Sequence, residues 1–199
     1  MDDAAEIYIR RGLASAHRAE AARLYWRAFA PKLGRVMGPE DLALAYLARV
    51  MRADQALCAI GTNGVLVGLA GFRTRAGAFA HGERHDMAAI YGPLGAIWRA
   101  AAWRLLGPER EPWFFQLEGL CVREEARGRG IGSALVEAVC AEARARGHSE
   151  VRLDVTDSNP RARALYERAG FTEAGAERLG ALAPLFGYRE ATRMVRQLG

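Results

Sequence analysis

Residues 127–133 read "RGRGIGS", and the apolar-periodic stretch "ALVEAVCAEARARG" follows at once. Glycines this dense let the backbone turn tightly as it enters a helix, and the first amides of a helix lack internal partners and carry partial positive charge. Such a turn is a receptor for phosphate, so the fold must bring a strand up to it and a helix away from it. Nucleoside triphosphate, dinucleotide and coenzyme A are the three candidate ligands. A triphosphate loop of the form G-x-x-x-x-G-K-[ST] needs a lysine that reaches the terminal phosphates, and this stretch has none. The dinucleotide fingerprint fares better: Gly128-x-Gly130 follows a strand, and Asp154 ends the next one, where a ribose-binding acid belongs. Against it, Ser133 stands at the third glycine position, "REEA" separates the strand from the turn, and little chain remains for a doubly wound sheet.

The remaining elements follow from periodicity and punctuation. "EIYIR" (Glu6 to Arg10) alternates as a strand, and Ser15 to Ala30 has helical spacing behind a serine cap. A second helix is expected from Pro39 to about Arg52. Two apolar runs flank "GTNG", whose Asn63-Gly64 pair predicts a hairpin. Gly77 to His85 reads as a loop, and Asp86 to Leu106 as one or two short helices interrupted by "YGPLG". "WFFQLEGLCV" (Trp113 to Val122) reads as a strand, Gly130 to Arg146 as a helix closed by Gly147, and "EVRLDV" (Glu150 to Val155) as a strand. Asn159 to Gly170 is a short helix, with late strands beginning near Phe171 and Arg189.

Two separated motifs then narrow the choice. "VREEARGRGIGSALV" followed by "NPRARALYERAGF" resembles the acetyl-CoA-binding core of the GCN5-related N-acetyltransferases (GNAT), strongest from about Leu117 to Phe171. Arg127-x-x-Gly130-x-Gly132 matches that family's pyrophosphate loop, and Asn159 with Leu165-Tyr166-Glu167-x-x-Gly170-Phe171 matches its later helix. The resemblance implies a mixed α/β fold: a central, mostly antiparallel twisted sheet of about seven strands flanked by about four helices. Residues 75–112 would be a helical insertion between the third and fourth strands, inside one domain spanning 1–199. It also implies an acyltransferase that moves an acetyl group from acetyl-CoA to a primary amine by direct attack in a ternary complex. A coenzyme A-binding regulatory protein without turnover, or a dinucleotide enzyme, is the alternative.

The amides and side chains of Arg127, Gly128, Arg129, Gly130, Ile131, Gly132 and Ser133 are then the expected diphosphate cradle. By resemblance, Leu120, Cys121 and Val122 pair with the pantetheine arm and offer an N–H to the thioester oxygen, Asn159 contacts that arm or helps open the strands, and Tyr166 protonates the departing sulfur. Glu118 is the candidate base, because a carboxylate in a half-buried strand, two residues before the cofactor edge, needs a reason to be there. The competing reading is a strand glutamate paired with one of many arginines. Asp157 is expected to cap the helix that begins at Asn159. No metal is expected: His81, Glu83, His85 and Asp86 lie in a loop, where i, i+4 spacing has no special geometry. Cys121 reads as core and not as an acetyl-carrying nucleophile.

Charge and composition bear on partners. The chain of 199 residues carries a formal net charge of +5, but its arginines are interleaved with acids and Lys32 is its sole lysine. Distributed charge of this kind predicts no nucleic-acid stripe. No basic n-region with an apolar run opens the chain, and no apolar stretch is long enough to cross a bilayer, so a cytoplasmic protein without stable membrane insertion is expected. The Trp- and Ala-rich "DMAAIYGPLGAIWRAAAWRLLG" is read first as a roof over a small-molecule or peptide amine acceptor, then as a homodimer surface, and last as a segment lying on a membrane surface.

Overall fold

The computed structural model describes residues 7–105, 114–180 and 183–199. Among these, strands β1 (Ile7–Arg11), β2 (Ala56–Gly61), β3 (Leu66–Thr74), β4 (Gly77–Ala78), β5 (Phe115–Val122), β6 (Glu150–Thr156), β7 (Thr172–Arg178) and β8 (Glu190–Gln197) form one sheet. The helices are α1 (Arg18–Met37), α2 (Glu40–Val50), α3 (Arg84–Leu105), α4 (Ile131–Ala145), α5 (Pro160–Arg168) and the short α6 (Ala183–Phe186). Sheet order is β1-β2-β3-β5-β6-β8-β7, with β4 hydrogen-bonded to β3, and every pairing is antiparallel except β5 with β6. This is the mixed, mostly antiparallel architecture expected from the sequence. It also removes the dinucleotide alternative, whose doubly wound sheet is mostly parallel, whereas here only β5 and β6 pair in parallel.

Strand alternation distributes the core to both faces of the sheet. Cys58 and Ile60 of β2 join Tyr25 and Trp26 of α1 and Tyr46 and Leu47 of α2 on one side. Leu57 and Ala59 join Ile131, Leu135 and Val139 of α4 and Tyr166 of α5 on the other. Strand β2 is therefore apolar and buried along its whole length, as a strand covered on both faces requires. Phe72 and Phe115 stack at 4.7 Å between centroids on the α4 face.

Several local expectations need correction. Helix α1 runs on through Pro31 to Met37 instead of stopping at Ala30. Proline lacks an N–H and usually ends a helix, but here the turn beyond it buries Val36 and Met37, and that packing offsets the lost bond. Ser15 opens a 3-10 turn and does not cap α1, whose N-cap position is His17 with no side-chain cap bond. The predicted loop from Gly77 contains β4, and α3 begins at Arg84 and bends at Gly92, where φ is +71°, just before Pro93. The end of the expected insertion and Trp113 lie outside the described residues. In the hairpin, Gly64 takes φ +76° and Asn63 Oδ1 accepts from the Val65 amide at 3.1 Å, as an Asn-Gly turn should.

Candidate active site

The parallel pair β5 and β6 is bonded only at Phe115–Val151, Gln116–Arg152 and Leu117–Leu153. Beyond Leu117 each strand stays with its outer neighbour. Gly119 to Val122 remain paired with Gly68 to Gly71 of β3, and Asp154 to Thr156 with Ala191 to Arg193 of β8. The two strands thus part, and the inner edge of Gly119–Val122 faces a cleft.

A bulge begins the parting. Gly71 pairs with Gly119 while Phe72 pairs with Leu117, so Glu118 is an extra residue on β5. Bulges re-aim side chains and end pairing, and this one does both. Leu117 packs with the α4-side core, whereas a Cβ on Gly119 would lie 2.8 Å from Tyr25 Cε2 and 3.0 Å from Phe29 Cζ, on the α1 side. Glycine is required there by the close approach of α1.

Glu118 is anchored within the bulge. Its Oε1 accepts from Arg73 Nε at 2.7 Å, and its Oε2 accepts from the Phe79 amide at 2.9 Å. The carboxylate ties β3, β5 and the segment after β4 together, which is the arginine-paired arrangement that competed with the base reading.

On the α4 side, Gly128 and Gly130 adopt φ +78° and +76°, a left-handed conformation that side chains resist, and Gly130 is the N-cap of α4. Among the described residues, no amide from Gly128 to Ser133 donates a backbone hydrogen bond, while Ala134 is the first to bond back, to Gly130 O at 3.0 Å. The turn therefore presents a set of free N–H groups at the positive end of a fifteen-residue helix. Arg127 Nε donates to Val122 O at 3.3 Å, which pins the turn to the end of β5 and so to the cleft. Gly132 passes close to α5: a Cβ there would meet Leu165 Cδ2 at 3.2 Å.

Helix α5 delivers Tyr166 to the same place. Asn159 Oδ1 caps the helix by accepting from the Ala162 amide at 3.2 Å, and Pro160 fills the first turn. Asp157 does not cap it, contrary to expectation; its carboxylate accepts from the Arg189 amide at 3.3 Å. Tyr166 is buried against Phe171, and burial, with the Cys121 thiol nearby, pushes its phenol well above the ordinary tyrosine range. Its hydroxyl keeps its proton at any working pH. Burial likewise pushes the Cys121 thiol up to about 12, so it stays un-ionised and is a poor nucleophile. Asp154 accepts from Gln116 Nε2 at 3.1 Å, and Asp86 pairs with Arg49 at 2.7 Å.

On the α1 side, a cavity of about 370 Å³ lies between the β6–α5 turn (Asp157, Ser158) and the segment that leads into β8 (Ala183, Pro184, Gly187 to Arg189). Arg35 donates to Pro184 O, and a Cβ on Gly187 would lie 3.1 Å from Pro31 O, so this segment straps onto the C-terminal half of α1. The Lys32 ammonium stands 5.9 Å from the Phe29 ring centroid and 5.7 Å from that of Tyr188. No motif announces this cluster, because its members are far apart in the chain.

A parted parallel strand pair, a glycine turn with free amides at its mouth and a buried tyrosine beside it make up the candidate site. The family model "Acetyltransferase (GNAT) family" matches residues 18–171, and the chain belongs to that family. It is 46% identical over 59 residues to a 5-NmdU N-acetyltransferase of Pseudomonas phage PaMx11, a stretch covering 30% of this chain and 39% of the phage protein. Its fold matches the ribosomal-protein-S18-alanine N-acetyltransferase of Escherichia coli with a TM-score of 0.58 at 19% identity, over 98% of this chain and 95% of that one. The NatC complex bound to Gag peptide and CoA contains a chain similar at a TM-score of 0.60 and 16% identity, over 98% of this chain and 99% of that one. Among the described residues, no helix is long and apolar enough to cross a membrane.

Proposed function

We propose that this protein transfers the acetyl group of acetyl-CoA to a primary amine by direct attack in a ternary complex. The observation that carries the reading is the parting of β5 and β6 beside the glycine turn. It leaves backbone groups along the Leu120, Cys121 and Val122 edge for the amides of a pantetheine arm, the Val122 carbonyl already accepting from Arg127 Nε, and free N–H groups from Gly128 to Ser133 for the pyrophosphate. Arg127 and Arg129 add positive charge. A site built of amides and arginines, without a phosphate-activating lysine, suits a ligand whose phosphates stay intact.

In this reading an N–H of the β5 edge stabilises the oxyanion that forms when the amine nitrogen attacks the thioester carbon. As the carbon–sulfur bond breaks, Tyr166, which burial keeps protonated, gives its proton to the leaving thiolate and regains one from water. Asn159 fixes α5 and thereby the tyrosine, leaving its Nδ2 to donate to the pantetheine arm. An alkylammonium has a pKa of ~10.4, so about one acceptor in a thousand is free amine at neutral pH, and the remaining proton leaves to water. We give Glu118 a positioning role, because taking a proton would disrupt its bond to Arg73.

A thiol-release assay with acetyl-CoA against amines, amino acids, peptides and aminoglycosides tests the reading. Turnover on one acceptor class, reduced in Tyr166→Phe, is expected. Tight coenzyme A binding with no turnover on any amine would favour a regulatory protein instead.

A further inference from the structure

The face opposite the glycine turn has a charge that the transfer reaction does not explain. Lys32, the chain's sole lysine, is half-buried on α1 between the rings of Phe29 and Tyr188. Among the described residues, no carboxylate makes an ion pair with it. The nearest acid acting on it is Asp157, whose oxygens already accept from the Arg189 amide at 3.3 and 3.4 Å. Burial lowers the Lys32 pKa more than Asp157 raises it, which marks an under-compensated cation. Arg189 is exposed at the same cavity, and Arg35 is turned to Pro184 O. Among the described residues, Asp157 is the only acid lining this cavity.

Its position relative to the cleft is set by Phe29. One edge of that ring lies over Gly119, at the bulge where β5 leaves β6, and the Lys32 ammonium stands 5.9 Å from the ring centre. A thioester seated along the β5 edge has the glycine turn and α5 on one side, so an amine reaches it from the α1 side. The remainder of that acceptor then runs past Phe29 toward Lys32 and the cavity. Half-buried cations without counter-ions are stabilised by an arriving anion, and more strongly than exposed ones because less water screens the pair.

We propose that Lys32 receives an anionic group of the acceptor, a carboxylate or a phosphate, so that the preferred substrates are amines whose far end is negatively charged. The proposal rests on the acetyl-transfer reading and assigns Lys32 to acceptor specificity.

The test compares glycine, β-alanine and longer ω-amino acids, each with its own uncharged amide and with the ω-aminoalkyl phosphonate of equal length. Wild-type protein should favour the charged member of at least one pair by about tenfold in kcat/KM, the factor that corresponds to one retained ion pair. Lys32→Met should erase that preference and Lys32→Arg should keep most of it. A folding defect would lower acid and amide alike, so the ratio isolates the charge. Whether carboxylate or phosphonate wins names the group. Equal use of acid and amide by wild type, or a preference that survives Lys32→Met, overturns the proposal while leaving acetyl transfer intact. Absence of turnover with every amine overturns the transfer reading as well.

Discussion

The two faces of the cleft are built by different means. In the proposed reading, recognition on the α4 side is a property of backbone: left-handed glycines, unpaired amides and a strand edge, all within one continuous stretch from β5 to α5. On the α1 side it is a property of side chains gathered from distant segments, with Phe29 and Lys32 from α1, Asp157 from the β6–α5 turn, and Tyr188 and Arg189 from the strap before β8. A backbone cradle holds the constant part of a ligand and tolerates little change. A side-chain cluster is free to vary, which is the division of labour expected when one donor serves many acceptors.

The sharpest break between the faces is Gly130→Val. A β-branched residue at φ +76° strains the turn and crowds the amides, so coenzyme A affinity should fall by ~100-fold or more by calorimetry, with only a modest loss of stability. Tyr166→Phe comes next: kcat should drop by ~10²-fold while the acetyl-CoA Kd stays unchanged, since the ring packing is preserved. Gly119→Ala acts on the other face. Its new methyl meets Tyr25 and Phe29, so the acceptor KM should rise and stability fall by ~1–3 kcal/mol, with coenzyme A binding nearly intact.

Glu118→Gln should cost ~1–3 kcal/mol in urea unfolding by weakening the Arg73 bond and the Phe79 anchor, and reduce kcat by less than tenfold. A fall of ~10²-fold would return Glu118 to the role of base. The smallest effect concerns the buried thiols. Cys58 and Cys121 are raised from 9.0 to about 11 and about 12, so the unfolded chain releases these protons first. Stability is full below pH 9 and declines as pH rises through 11 and 12; Cys58→Ala and Cys121→Ala should each flatten that alkaline decline.

The same division explains what was legible in the sequence. The glycine turn, the α4 helix, the Asn-Gly hairpin and α5 with its Tyr166 follow local rules, and the structure gives them nearly the expected bounds. The bulge at Glu118 was not legible, because alternation along "QLEGLCV" looks regular until β3 is laid beside it. Nor was the continuation of α1 through Pro31, which depends on what Val36 and Met37 pack against. Acids commonly start helices, which points to Asp157 as a cap, but Asn159 stands directly before Pro160 and its Oδ1 makes the cap bond. The Lys32 cluster is purely tertiary.

The most direct test of the central claim is to follow backbone amide NMR shifts on adding coenzyme A to the ¹⁵N-labelled protein. The largest changes should fall at Gly128 to Ser133 and Leu120 to Val122, with little change at Lys32 and Tyr188. Shifts concentrated on the α1 side, or equal shifts at the glycine turn on adding NAD, would contradict that claim.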